Sequence, residues 1–332
     1  MKAAVFHEHG SCDNIRWEEF PDPVCGPDDA VIRIGAAGLN GFEPMILFRT
    51  TALRTPLPMI VAGDGAGEIV ELGSRVNGWS IGDRVSIYPM VAGEGMTGET
   101  RLGTCAQYHR VPAANLVAMP DGLGFEEAAA LPIAYATALR MLKTRCPVGA
   151  GETVLILGAA GGVGTACVQL AKAAGAQVIA CSGSEWKLAR LSDLGADHVV
   201  NTAITDFRQW TWERFGKPRM GAAGGVDLVI NYIGGDTWVD SLKCITPGGR
   251  MTVCGATQDY RTENDCRYIW TYEISIIGSN GWTMQDQARI LRMAADREIE
   301  PVIDTVFPLR ETGRAVQKIA DRDFFGKIVL VP

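Results

Sequence analysis

The sequence predicts an α/β chain of two domains: an irregular β-rich barrel, then a doubly wound sheet of six parallel strands. Three observations carry this. Residues 153–164 read Thr-Val-Leu-Ile-Leu-Gly-Ala-Ala-Gly-Gly-Val-Gly, an apolar β-branched run that meets a glycine cluster and then a helical pattern. From 153 onward, strand and helix signals alternate, as a parallel sheet with crossover helices requires. The first 120 residues instead carry short strands among dense Pro and Gly.

In chain order, 30–34, 66–72 and 84–87 have strand character, punctuated by Gly73-Ser74 and Gly82-Asp83. Near Gly124 the pattern changes, and Phe125 opens a helical stretch that runs past Pro132 towards Leu142. Strands are then expected at 154–157, 177–181, 198–200, 226–230, 250–254 and 274–278, with helices to about 174, across 187–194 and near 238–242. The stretch 214–225, with four glycines, reads as a loop. A strand at 305–309, a helix at 312–321 and a last strand at 327–331 return the chain to the first domain. The expected domains are 1–124 with 290–332, and 125–289.

The glycine turn has a chemical meaning. Residues without a bulky Cβ let backbone amides at a helix N-terminus approach a pyrophosphate. Counted from Ala159 the spacing is A-x-G-x-x-G, which departs from G-x-G-x-x-G at its first position. A tight turn that binds nothing gives the same local pattern; the alternating strands and helices around it favour a dinucleotide.

Composition narrows the partners. Hydrophobic residues are 47% and charged residues 21%, ordinary for a globular chain. A formal charge of −7 with no cluster of Lys and Arg argues against nucleic acid. No window approaches the roughly 18–20 apolar residues of a membrane span, and Met1–His7 lacks the apolar core of a signal peptide. Nine scattered cysteines without C-x-x-C suit reduced thiols in the cytoplasm.

The chain resembles the medium-chain dehydrogenase/reductase superfamily, within it the zinc-free quinone oxidoreductase branch. The segments that carry the resemblance are Gly63-Asp64-Gly65-Ala66-Gly67, Gly82-Asp83-Arg84-Val85, Ala128–Pro132 and Ala159–Gly164. Further on come Gly195-Ala196-Asp197, Gly225-Val226-Asp227, Pro247–Arg250 and Phe325–Val329. Their order and spacing match over the whole length. The resemblance implies a GroES-like barrel carrying the active site, a Rossmann domain, a cleft between them and a homodimer paired through the last Rossmann strand. It places a nicotinamide dinucleotide along Ala160, Gly161, Gly162, Val163 and Gly164. It continues along Ser182, Gly183, Ser184 and Lys187, then Asn231, Cys254, Gly255, Ala256, Ser279 and Lys327.

Zinc-dependent members hold their catalytic metal with Cys, His and Cys. The matching positions are Asn40, Gly63 and Ile133, none of them a thiolate or imidazole, and zinc needs about three such ligands. Asp64 falls where the family has a carboxylate beside the metal. The stretch 93–105, where relatives carry four structural cysteines, has only Cys105. No zinc is therefore expected. At the end of the second Rossmann strand Ser182 stands where NAD-specific domains carry an acidic residue; with Lys187 nearby, NADPH is favoured over NADH. Glu185 opposes that reading if it faces the phosphate, and a tyrosine that relatives carry near Thr202 is absent.

Without a metal the best substrate is already electron-poor: a quinone or an α,β-unsaturated carbonyl. Asn40 is the first candidate donor to the developing oxyanion, with loop bracing as its alternative. Thr137 matches the threonine that contacts nicotinamide, or is a helix hydroxyl bonded to its own backbone. Asp64 and Glu43 are acidic candidates for which structural hydrogen bonding is the stronger reading. No tyrosine stands in 43–49, where many quinone reductases carry one. Tyr268, Trp270, Tyr272 and Trp282 wall a pocket or pack an interface; His7 and His9 receive no role. The alternatives are an alcohol or carbonyl oxidoreductase, an enoyl-thioester reductase, and an NADPH-binding crystallin-like protein without turnover.

Overall fold

The structure, a computed structural model, describes residues 1–50 and 54–332. It divides into two units, Met1–Ala136 with Thr283–Pro332, and Thr137–Trp282. The expected boundaries at 124 and 290 are displaced, for a packing reason. The helix Phe125–Ala130 lies directly on the first unit's sheet: a Cβ on Gly38 would come within 2.1 Å of the Ala129 carbonyl, and one on Gly35 within 2.5 Å of the Phe125 ring. The helix Met284–Ala295 stays with the same unit through Gln287, whose Nε2 donates to Ser86 Oγ at 2.9 Å and to the Ile87 carbonyl at 3.1 Å.

The first unit is built on a seven-stranded sheet. Its long central strand, Asp29–Leu39, pairs antiparallel with Asp64–Leu72, Tyr108–Pro112 and Lys327–Val331. The terminal strand thus returns to the first unit as expected, and Ile303–Pro308 runs parallel beside it. A three-stranded sheet of Lys2–Phe6, Arg16–Glu19 and Met59–Ile60 completes the β-rich part. The alternating inward residues Ile32, Ile34, Ile69, Ile87 and Ile328 are buried in one core.

The second unit is a six-stranded, all-parallel sheet. Numbered along the chain from Thr153–Ile156 to Ser275–Gly278, its strands lie in the order 3-2-1-4-5-6. This is the doubly wound arrangement, whose ligands bind outside the carboxyl ends of strands one and four, where the order reverses. Here those strands are Thr153–Ile156 and Val226–Ile230. Apart from Thr153 and Asp227, whose carboxylate accepts the Thr153 amide at 2.7 Å, both are apolar, because both faces of a parallel sheet are covered.

Three local expectations are corrected. The stretch 125–142 is not one helix. After Ala130 the backbone widens into π turns at Pro132–Ala136 and Arg140–Arg145 around a single α turn, Thr137–Leu139. Pro132 has no N–H to continue the α ladder. The fifth strand begins at Ile245, not 250, and its pairing shifts register between Val226 and Leu228, where Pro247 and Gly248 (φ +77°) interrupt it. Helices Phe207–Phe215 and Cys266–Thr271 add to those expected. Among the described residues no helix is long and apolar enough to cross a membrane, and all nine cysteines are free thiols.

Candidate cofactor and active site

In the second unit the glycine turn is a tightly held cradle. Gly158, at φ +67°, turns the chain out of the first strand. Its carbonyl accepts from the Gly161 amide at 3.2 Å and from the Tyr232 hydroxyl at 2.8 Å. Tyr232 itself is buried and follows the fourth strand, so it joins the two strand ends at the switch point. A Cβ on Gly164 would come within 2.5 Å of the Ala159 backbone, which is how closely the helix Gly162–Ala173 packs on the turn. By contrast a Cβ on Gly161 would meet nothing nearer than 3.8 Å. No side chain caps this helix at Gly161, so the first-turn amides of Gly162, Val163 and Gly164 are available to an anion. These features fit a dinucleotide pyrophosphate.

Ser182 ends the second strand and is 8% exposed. Gly183 and Ser184 lead into the helix Glu185–Asp193, and the buried Lys187 lies in its first turn with Nζ 5.3 Å from the Trp186 ring centroid. Glu185 is engaged by the Asn201 amide. Asn231 departs from expectation: it is fully buried, its Nδ2 donates to Thr237 Oγ1 and Ser241 Oγ, and its Oδ1 accepts from the Ile233 and Gly234 amides. Its side chain braces the turn after the fourth strand. Cys254, Gly255 and Ala256 follow the fifth strand; burial pushes the Cys254 thiol up to about 12. Ser279 is 4% exposed, its amide donates to the Val253 carbonyl at 2.8 Å, and its hydroxyl has no partner. Thr137 is buried in the short α turn that packs on Gly162–Ala173. Of the aromatic group, Tyr268 and Tyr272 stack on each other against this unit's core, Trp282 is buried and Trp270 is exposed.

In the first unit three neighbouring strands bring a polar cluster to one sheet end. Gly38 pairs with Asp64, and Leu39 with Ile328, which aligns Asn40, Asp64 and Lys327. Lys327 is 1% exposed and donates to Asn40 Oδ1 at 2.5 Å and to Asp64 Oδ2 at 3.0 Å. Asp64 also accepts from Asn40 Nδ2 at 2.9 Å and from the Ile133 amide at 2.9 Å. Lys327 was expected among the cofactor contacts; its ammonium is instead bound to the two expected catalytic residues. Glu43 lies behind, accepting the Asn40 amide at 2.6 Å on Oε2 while Oε1 is buried without a partner.

Burial raises the Asp64 carboxyl, opposed chiefly by Lys327 and then by its hydrogen-bond donors. Burial pushes Glu43 up to about 8 against the pull of Lys327. Of the two, Asp64, with the Lys327 ammonium and two amide donors around it, is the better placed to carry negative charge, and Glu43 keeps its proton at neutral pH. This acid–amide–lysine cluster is the part that reasoning from sequence missed.

The structure also brings together the three positions that hold zinc in metal-dependent relatives. Ile133 donates its amide to Asp64, Asn40 bonds Asp64, and a Cβ on Gly63 would come within 2.8 Å of Ile133 Cδ1. Cys105 is a lone buried thiol, raised by burial. Among the described residues no three His, Cys, Asp or Glu side chains are grouped to hold a metal.

Comparison with known proteins agrees with this architecture. The alcohol dehydrogenase GroES-like domain matches residues 26–121, and the zinc-binding dehydrogenase domain matches 162–296. Crotonyl-CoA reductase of Streptomyces avermitilis is 30% identical over 95% of this chain and 81% of its own length. Quinone oxidoreductase of Mus musculus is 30% identical over 96% of this chain and 94% of its own. The crystal structure of an NAD-dependent alcohol dehydrogenase superposes with a TM-score of 0.91 at 32% identity, covering 100% of both chains. The chain belongs to the medium-chain dehydrogenase/reductase family, with a GroES-like domain and a Rossmann-type sheet. It is an NAD(P)H-dependent oxidoreductase.

Proposed function

We propose that this oxidoreductase is a zinc-independent, NADPH-dependent reductase of activated alkenes: quinones and α,β-unsaturated carbonyl compounds. One observation carries the reading. The positions that hold zinc in metal-dependent relatives converge here as a carboxamide, a glycine and an alkyl side chain, and the adjacent Asp64 is already neutralised by Lys327. A site with that chemistry has no Lewis acid to polarise an alcohol or a simple carbonyl, so the electrophile must be electron-poor by its own conjugation.

The dinucleotide, when bound, supplies the hydride for the electron-poor carbon. Gly161 to Gly164 receive its pyrophosphate, and Ser182 with Lys187 receives the 2′-phosphate; the engagement of Glu185 by Asn201 supports this, since it occupies the one acidic side chain of that segment. Cys254 to Ala256, Ser279 and Thr137 form the nicotinamide end. Asn40 has one Nδ2 hydrogen beyond its bond to Asp64, and we assign it to the oxygen on which charge develops. Asp64, held ionised by Lys327, fixes the direction of that amide. The final proton comes from water. The edge strand Ser275–Gly278, exposed along one side with Ile276 at 37%, suits pairing with a second copy of the chain. The free thiols suit a reducing compartment such as the cytoplasm.

NADPH consumption over a panel of quinones, enones, enals, enoyl thioesters and simple alcohols, with and without a chelator, tests the reading. Turnover of the conjugated substrates that survives the chelator is expected; activity only on alcohols, or activity tied to stoichiometric zinc, overturns it. The likeness to an NAD-dependent alcohol dehydrogenase makes NADH the second reading, and equal KM values for NADH and NADPH would favour it.

A further inference from the structure

The polar cluster of the first unit holds two carboxyls, Asp64 and Glu43, against one ammonium, Lys327. Glu43, on the short helix Phe42–Leu47, is 3% exposed, and the Asn40 amide donates to its Oε2 at 2.6 Å. Its Oε1 is buried without a partner. Buried polar atoms are ordinarily hydrogen-bonded, and an ionised oxygen left alone there would be costly. Neither the hydride step nor the contact to the oxyanion employs this group.

Asn40 is held from three sides. Its main chain is fixed by Glu43, its Oδ1 by the Lys327 ammonium and its Nδ2 by Asp64. The ammonium on Oδ1 keeps the amide from turning over, because Nδ2 in that place would set donor against donor. This contact depends on the charge of Glu43, since Lys327 acts on Glu43 as well as on Asp64. With Glu43 neutral, Lys327 divides its N–H groups between Asp64 and Asn40. With Glu43 ionised, Oε1 becomes a charged acceptor that competes with the neutral Asn40 Oδ1 for the ammonium. The other groups around Glu43 are Asp64 and the Cys105 thiol. The helix Thr312–Ala320, packed on Phe42–Leu47, buries Thr312, Ala315, Val316 and Ile319, none of them charged. His9 bonds the Ile46 carbonyl further along the Glu43 helix.

We propose that Glu43 works as a neutral acid, a positioning residue that keeps Lys327 on Asn40 and so holds the Asn40 amide towards the oxygen on which charge develops. The inference rests on the reductase reading and gives Glu43 no contact with substrate. Burial pushes its carboxyl up to about 8, so its proton is in place at neutral pH and is lost above it.

Steady-state kinetics with NADPH and saturating menadione or pent-3-en-2-one, from about pH 6 to 9.5, test this in the native protein, Glu43→Gln and Glu43→Val. Native kcat should fall above about pH 8 as one proton is lost. Glu43→Gln keeps the shape and cannot ionise, so that fall should disappear. Glu43→Val removes the acceptor. Its kcat should drop about 10- to 100-fold with KM within about twofold, because Asn40 meets charge that appears in the transition state. Glu43→Gln should recover most of that loss. A fall above pH 8 that persists in Glu43→Gln belongs to another group and overturns the proposal. So does an equal loss of kcat in both variants, or a change in KM alone. The native protein and Glu43→Gln decide the matter even where Glu43→Val does not fold. If the native protein reduces neither compound, the reductase reading is what fails. The side-chain amide resonances of Asn40, in protein carrying isotope-labelled asparagine and assigned by their loss in Asn40→Leu, then decide the coupling. A shift with a midpoint near pH 8 that Glu43→Gln abolishes sustains it; resonances that stay fixed, or move alike in both proteins, overturn it.

Discussion

Around Asp64 the chain supplies its own counter-ion, with Lys327 at 3.0 Å and two amides completing the carboxylate's shell. Beyond the glycine turn at 158–164 the opposite holds: the helix begins uncapped, a Cβ on Gly161 would meet nothing nearer than 3.8 Å, and the Ser279 hydroxyl is buried without a partner. Both regions lie at strand ends, one in each unit. The difference separates two kinds of polar site. A region whose buried charges are satisfied from within is already organised and can orient a reactive group. A region with donors left over is complete only with a ligand. The sharpest way to test this contrast is to remove the internal partner from the first and to perturb the cradle of the second.

The largest effect is expected at Lys327. Lys327→Met leaves Asp64 and its negative charge buried without a cation, a loss of about 3–5 kcal/mol in stability. Adding Asp64→Asn should restore most of it, because the pair is then neutral on both sides. Denaturant unfolding of the two single variants and the double variant gives the coupling directly. A loss below about 1 kcal/mol in Lys327→Met would mean that Asp64 does not carry its charge there, and the contrast between the regions would collapse.

Glu43 tests the same cluster through pH. Its carboxyl is pushed up to about 8 from an ordinary 4.5, first by burial and against the pull of Lys327. Below pH 4.5 both folded and unfolded chains hold this proton, and its contribution to stability is fully present. Between 4.5 and 8 the folded chain keeps a proton that the unfolded chain releases, so stability falls as pH rises, by about 1.4 kcal/mol per unit at most. Glu43→Gln removes the titration and should flatten that slope, leaving the variant more stable than its parent near pH 8. Parallel stability–pH curves from 5 to 8 for the two proteins would show that Glu43 is ionised in the fold.

The second unit was readable in the sequence because its signals are local. Strand, glycine turn and helix succeed one another within residues 153–173, and an unbroken apolar run already implies a strand buried on both faces. The last strand, 327–331, was likewise found by its composition. What it does was not: the Lys327–Asp64 pair joins residues 263 apart and depends on the register that sets Gly38 opposite Asp64 and Leu39 opposite Ile328. No local pattern encodes that alignment. Asn231 misled for a related reason. The resemblance set it among the cofactor contacts, whereas its side chain is taken up by two amides of the following turn and two hydroxyls of the helix Thr237–Cys244. Trp270 was left open in the sequence between a pocket wall and interface packing, and it lies 71% exposed on a six-residue helix, which disfavours the first and leaves the second. The fifth strand was expected only from 250 because Pro247 and Gly248 interrupt its apolar pattern, and they are an irregularity within the strand.

Ser182→Asp probes the open region at its adenosine end. A carboxylate at the end of the second strand would repel a 2′-phosphate and accept from a 2′-hydroxyl. The ratio of kcat/KM for NADPH over NADH should fall about 10- to 100-fold, the span that one or two charge-assisted contacts command. Steady-state kinetics with both cofactors measures it. An unchanged ratio would place the phosphate away from Ser182 and leave the preference to Lys187 or to no residue of this segment.

The smallest effect expected is also the most specific. The Tyr232 hydroxyl donates to the Gly158 carbonyl at 2.8 Å across a sequence separation of 74 residues, and Gly158 needs its φ of +67° for the cradle to form. Tyr232→Phe keeps the ring, and so the packing, and deletes only this bond, worth about 1 kcal/mol or roughly fivefold in affinity. NADPH must be weakened by about that factor, because its pyrophosphate sits on the turn. Adenosine 2′-monophosphate, which has no pyrophosphate, must bind as before. Equilibrium titration of both ligands separates three cases. Loss for NADPH alone makes Tyr232 a positioning residue for the cradle. Equal loss for both makes it a general support of the strand ends. No loss for either means that Gly158 and the close packing of Gly164 on Ala159 hold the turn unaided, and the cradle is then as self-sufficient as the cluster around Asp64.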